Sequence, residues 1–328
     1  RRWGGTGNFA DIPCNIPSFV TCKTFAVYGS SLVIANVSSA GNEPQTIYWS
    51  DTTNFGEFLT GNSGAVLLPD TRGDIVRLEV LGDRLVVYAE DSIGVATYVG
   101  GTALFAFETL ATDTRLLGGR AVCSVGLLHF FMGRENIFAF DGTRGIRPIG
   151  NPIRPLYRNA IELSLASRAF AFNDSNDNRA WFVIPTSDTT STAFIYEYDK
   201  TNPTQGSWAQ HNYIERPRSM GYFSAAAAPL WSASTGTWSA RAGTWASIAT
   251  RAGFPNMVMG QGGFVRILNG TSFSDEGAPV SASWESVDFT VPGDWPGSLG
   301  RWELAEVEAK GTILSMSYSV DRGLTWSA

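Results

Sequence analysis

Histidine, cysteine and lysine are scarce in this chain, and each scarcity removes a class of function. His129 and His211 are the only histidines among 328 residues. His129 falls in the apolar run LLHFFMG, where a hydrogen-bonded core side chain is expected. No serine or cysteine motif with the context of a catalytic triad accompanies either histidine, so nucleophilic hydrolysis has no support. The three cysteines, Cys14, Cys22 and Cys123, are odd in number and lack C-x-x-C spacing. That argues against a disulfide framework and a zinc site and fits a reducing compartment. Lysine occurs as Lys23, Lys200 and Lys310 alone. With 24 basic and 30 acidic residues the net charge is −6, the wrong sign for a protein that grips nucleic acid by neutralising its phosphates. Charged residues make up only 16% of the chain, yet no apolar run approaches the ~18 residues of a membrane-spanning helix. The opening RRWGGTGNFADIP also lacks the apolar centre of a signal peptide. Because the sequence starts at Arg1 instead of Met and stops just past a hairpin, it is expected to be part of a longer or processed chain.

Strand and turn chemistry is abundant instead. Hydrophobic residues reach 44%, and 35 glycines and 15 prolines supply turns. Four stretches repeat one pattern, an aromatic and β-branched run followed by an Asp, Asn or Gly turn and a second apolar run: IYWSDTTNFGEF, IFAFDGTRGIRPIG, FVRILNGTSF and SYSVDRGLTW. Such runs suit a half-buried strand, and Asp-Gly or Asn-Gly tolerates the positive φ of a tight turn, so each reads as a β-hairpin. The units recur at about 40 to 50 residues, the spacing of four-stranded propeller blades. The expectation is an all-β fold, a β-propeller of about five to seven blades. Its domains would be an extended N-terminal arm at 1–23, a propeller over 24–279 with a tryptophan-repeat loop at 230–250, and a C-terminal β segment at 280–328 that is a partial sandwich or a closing blade. One helix is predicted, in PIRPLYRNAIELSLASR, with Pro155 in its first turn and Leu156, Ala160 and Ile161 on one face.

Several local patterns bear on function. Trp231, Trp238 and Trp245 recur every seven residues among Gly, Ser and Thr, which rules against a coiled coil. They form either a meander packed on itself or on the propeller, or a protruding contact loop, since tryptophan anchors interfaces. The loop Asn173-Asp174-Ser175-Asn176-Asp177-Asn178 imitates the start of a calcium loop but has Arg179 where glycine is needed and Pro185 where the closing glutamate belongs. It reads as a solvated hairpin tip. Arg72-Gly73-Asp74 is too short a string to be specific. Ser319, Asp321, Gly323 and Trp326 match the Asp box, S-x-D-x-G-x-T-W, of sialidase-like propellers. In that turn the carboxylate bonds backbone N–H groups and the tryptophan plugs a blade, so it staples the fold and is not an active site. No catalytic, cofactor-binding or metal-ligating set is expected.

Taken together, RRWGGTGNFADIP, IYWSDTTNFGEF, FFMGRENIFAFDGTRGIRPIGNPI and the tryptophan loop resemble phrases of tailed-bacteriophage structural proteins. The families are the tail nozzle or tail tubular protein B family and the related tail hub proteins that stabilise packaged DNA. The pattern covers most of residues 1 to 275, with IFAFDGTRGIRPIG its most specific part, although nozzle proteins are usually much longer. The resemblance implies a virion protein, made in the host cytoplasm, that forms a ring with copies of itself, usually a hexamer, at the tail. Other tail, adaptor or fibre proteins would dock on it, and DNA would pass through the lumen without specific binding. No catalytic residue or cofactor transfers from the family. Acidic protomers would give such a lumen a repulsive wall, which favours transit. Two other classes stay open: a carbohydrate-binding or adhesin propeller, on the strength of the Asp box and tryptophans, and a sialidase-like glycoside hydrolase, which needs a carboxylate pair that nothing in the sequence marks.

Overall fold

The computed structural model describes residues 13–101, 104–112, 115–223, 256–268, 274–275 and 278–279. They form an all-β fold of successive antiparallel sheets, the blades of a β-propeller, each sheet a meander in chain order. Blade 1 holds β1 (Thr21–Tyr28), β2 (Ser31–Ser38), β3 (Asn42–Trp49) and β4 (Gly64–Leu67). Blade 2 holds β5 (Ile75–Leu81), β6 (Arg84–Ala89), β7 (Ser92–Tyr98) and β8 (Phe105–Thr112). Blade 3 holds β9 (Val122–Val125), β10 (Leu128–Met132), β11 (Ile137–Phe140) and β12 (Ile146–Pro148). Blade 4 holds β13 (Phe170–Asp174), β14 (Arg179–Pro185), β15 (Ser191–Tyr198) and β16 (Gly206–Tyr213). A three-stranded blade 5 follows, with β17 (Pro217–Phe223), β18 (Asn256–Gln261) and β19 (Phe264–Ile267). The first strands of neighbouring sheets lie side by side: β5 against β1, β13 against β9 and β17 against β13. The chain divides into two compact units at Leu268, and the second contributes the two-residue strands β20 (Ser274–Asp275) and β21 (Ala278–Pro279).

Strand periodicity explains why blades stack. Successive side chains of a strand point to opposite faces, and in β6 both faces are apolar. Leu85 and Val87 join Val33, Ala35 and Ile47 of blade 1, while Val86 and Tyr88 join Phe130, Phe131 and Ile137 of blade 3. In β14 the same alternation sends Ala180, Phe182 and Ile184 toward blade 3, and Trp181 and Val183 toward Met257 of blade 5. A middle strand of this kind is buried on both sides, so its sequence reads as one continuous apolar run. The two end faces of the series differ. Phe25 (65% exposed) and Val27, two residues apart on β1, and Val265 (74% exposed) and Ile267 on β19 stand open to solvent.

The turns carry a repeated device. After the third strand of blades 1, 3 and 4 the chain reads Asp51-Thr52-Thr53, Asp141-Gly142-Thr143 and Asp199-Lys200-Thr201. In each the carboxylate accepts from the threonine backbone N–H, at 3.0, 2.9 and 2.7 Å, and from its hydroxyl. These bonds hold Asp51 down at about pKa 2 despite its exposure, with the Thr53 hydroxyl the largest cause and the Asn62 N–H the next. They mimic a backbone turn and stop the third strand at a fixed point. Between β1 and β2, Gly29 and Ser30 both take positive φ, 57° and 64°, the tight turn that matches strand twist.

Some expectations change. IFAFDGTRGIRPIG is the hairpin β11–β12, but in IYWSDTTNFGEF only the first run is strand. Phe58 instead tucks under blade 1 beside Ile16, Ile34 and Val37, and β3 finds its partner β4 six residues later. Apolar side chains there satisfy packing without a ladder. The helix α1 (Arg154–Ala160) has Pro155 in its first turn as expected, but its buried residue is Tyr157, whose hydroxyl donates to the Gly133 carbonyl. Leu156 is exposed. Ala160 and Ile161 of the aliphatic row pack, partly buried, against the same core. FVRILNGTSF yields β19 followed by Leu268, which packs beside Met257, and residues 269–273 lie outside the described residues. So does SYSVDRGLTW.

Candidate functional site

His129 belongs to the scaffold. β10 places it fully buried between blades, with Nδ1 3.0 Å from the Tyr88 hydroxyl and Nε2 3.1 Å from the Val80 carbonyl. A carbonyl only accepts, so Nε2 carries the proton and Nδ1 accepts from Tyr88. Burial pushes the His129 pKa down and the Tyr88 pKa well up, and both side chains are fully buried. Cys123, close by, is a buried thiol pushed up by the same desolvation. His211 stacks edge-on against Tyr213 on β16.

The calcium-like loop is partly corrected. Among the described residues no group of three or more His, Cys, Asp or Glu side chains is placed to hold a metal. Asp174 is not solvated, however: it is buried and accepts from the Tyr222 hydroxyl at 2.8 Å and from the Asn176 N–H at 3.2 Å. Tyr222 lies on β17, so the hairpin tip of blade 4 is latched to the first strand of blade 5. Asn178, at φ 54°, closes the turn.

Trp231, Trp238 and Trp245, and the Asp-box residues Ser319, Asp321, Gly323 and Trp326, lie outside the described residues. The structure brings together a different set. Arg120, Arg168 and Arg218 stand at the starts of the first strands of blades 3, 4 and 5, and Arg216 immediately precedes the last of these. Backbone pairing fixes the arrangement: Arg120 forms a parallel bridge with Phe170, Ala171 N–H donates to the Arg120 carbonyl at 2.8 Å, and Arg216 N–H donates to Thr189 in the β14–β15 loop. Arg120 lies 5.8 Å over the Phe170 ring, and its Nη1 donates to the Arg218 carbonyl at 3.2 Å. Arg168 is paired with Asp188. The charges of Arg120, Arg168, Arg218 and Asp188 all act on Arg216, four cations in the neighbourhood of one carboxylate.

Arg216 is the unusual member. Its Nε and Nη1 are out of contact with solvent and have no hydrogen-bond partner. Its pKa is pushed below the ordinary arginine value, by desolvation first, then by Arg168 and Arg218, with Arg120 adding to the effect and Asp188 opposing it. Guanidinium stays protonated in proteins, so the shift registers an unfavourable charge and not a titration. The sequence offered a signal for this cluster that counts of charge hide: an arginine stands within two residues of the start of the first strand in GGRAVCSV, LASRAFAF and ERPRSMGYF. The strand β17 itself was missed, because Pro217, Gly221 and Ser219 dilute its apolar pattern.

No protein-family profile and no curated protein matches this chain. Among solved structures, an S. cerevisiae complex of Dbp5 with Nup159, Gle1, IP6 and ADP is similar over 78% of this chain and 60% of that chain, at 12% identity and a TM-score of 0.39. The N-terminal domain of Nup159 is similar over 63% of this chain and 53% of that one, at 11% identity and a TM-score of 0.36. Luciferin-regenerating enzyme is similar over 60% of each chain, at 10% identity and a TM-score of 0.36. The chain therefore spans 53% to 60% of the length of these structures. Likeness at this level carries no functional argument.

Proposed function

We propose that this protein is a non-enzymatic structural component of a phage tail ring of the nozzle, hub or connector kind, assembling with copies of itself and docking other tail proteins while DNA passes through the lumen. The reading rests on the resemblance of the phrases around IFAFDGTRGIRPIG. The structural observation that supports it is the pair of open apolar faces at the ends of the blade series, Phe25 and Val27 on one side and Val265 and Ile267 on the other. Scattered apolar side chains are ordinary on a soluble surface, but same-face pairs on a strand invite a covering sheet. Such a sheet comes from the rest of the chain or from a neighbouring protomer, and the ring reading uses the second. The test is negative-stain imaging of the purified full chain. Closed rings with a central hole are the expected result, and compact single particles at every protein concentration would overturn the reading.

A further inference from the structure

We propose that Arg120, Arg168, Arg216 and Arg218 form a binding site for a phosphate dianion, either inorganic phosphate or the terminal phosphate of a monoester. Three observations lead there. First, Arg216 holds two donors, Nε and Nη1, away from water with nothing to receive them, and buried donors in native structures nearly always have a partner. Second, four guanidinium groups around a single carboxylate leave a local excess of three positive charges, in a chain whose overall charge is −6. Like charges so gathered repel, and an anion relieves the repulsion. Third, two of the four are already oriented by other bonds, Arg120 by the Arg218 carbonyl and the Phe170 ring, and Arg168 by Asp188. Their remaining donors are pre-positioned, and the planar guanidinium fork matches the oxygens of phosphate.

The charge count selects the ligand class. A carboxylate or a phosphodiester brings one negative charge against the excess of three, whereas a terminal phosphate brings nearly two at neutral pH. The acidic remainder of the chain also opposes a long polyanion while leaving a small one free to approach. The Arg216 N–H bond to the Thr189 carbonyl ties the β14–β15 loop to the cluster, and the Ser187, Thr189 and Thr190 hydroxyls of that loop are bonded among themselves and add no charge.

The experiment is a titration of the full chain with inorganic phosphate against chloride at matched ionic strength, read as the thermal unfolding midpoint, since a ligand of the folded state raises it. Arg216→Met keeps the side-chain stem and removes the charge, Arg218→Met does the same at an exposed position, and Arg179→Met, whose partners Glu197 and Asp177 lie on blade 4 away from the cluster, is the control. Wild type and R179M should show a saturating rise with phosphate. R216M and R218M should need about tenfold more phosphate or higher for the same rise, as expected for one lost charged hydrogen bond. Equal responses in all four proteins, or no response beyond chloride in wild type, would overturn the site. A short DNA duplex that raises the midpoint at lower phosphate concentration than the free ion would overturn the assignment to a terminal phosphate.

Discussion

Two sets of buried polar groups stand in the same propeller and are built by opposite rules. Between blades 2 and 3, His129, Tyr88 and the Val80 carbonyl satisfy one another, and nearby Tyr157 and Trp208 each reach a backbone carbonyl. At the start of blades 3 to 5, Arg216 keeps two donors buried and unpaired among three further arginines. The first set joins second strands, β6 and β10, and the second set joins the first strands of blades 3 to 5, so both lie where neighbouring blades pack and the difference is chemical. A paired core group contributes to stability and has no capacity left for a ligand. An unpaired one costs stability and retains that capacity.

The comparison can be broken from either side. The largest effect should come from His129→Ala, which opens a cavity and strands both the Tyr88 hydroxyl and the Val80 carbonyl. A loss of about 3–5 kcal/mol is expected in urea unfolding. The same histidine gives wild type an acid sensitivity of known sign. Its folded pKa lies below the ordinary 6.5, so stability should be full above that pH and fall as the unfolded state takes up the proton first. In H129A that slope should vanish. Tyr222→Phe should cost less, about 1–3 kcal/mol, by removing the hydroxyl that serves buried Asp174 across blades 4 and 5. Near-wild-type stability in Y222F would show the latch to be incidental. Smaller still is the contribution of Asp51. Its pKa is held at about 2 against an ordinary 3.8, so its turn should support the fold above about pH 4 and release it as pH falls toward 2. Asp51→Asn should flatten the urea midpoint across that window.

Much of the fold was legible in the sequence because middle strands such as LVVYA and WFVIP are apolar on both faces, and Asp-x-Thr or Gly turns punctuate them. The helix was placed correctly, and Ala160 and Ile161 of its aliphatic row do pack on the core, but Tyr157 takes the buried place next to exposed Leu156, because periodicity alone does not say which of two adjacent residues meets a neighbour. IYWSDTTNFGEF misled for a related reason: Phe58 packs as a core residue without being in a strand. His129 was read as a core side chain because its neighbours are apolar on every side. The arginine cluster escaped because its members are about 50 residues apart in two steps, from Arg120 to Arg168 and from there to Arg216 and Arg218, and only the side-by-side packing of first strands unites them. A net charge of −6 conceals a local excess of the opposite sign.

The smallest effect in the series is the most telling. Urea unfolding of Arg216→Met in chloride buffer, with no phosphate present, compares an unpaired buried charge with none. If the cluster is a site held ready for an anion, the midpoint of R216M will equal or exceed that of wild type, because the substitution removes repulsion and two orphaned donors. A midpoint well below wild type would show that Arg216 supports the fold as His129 does, and the distinction between scaffold and site would fail.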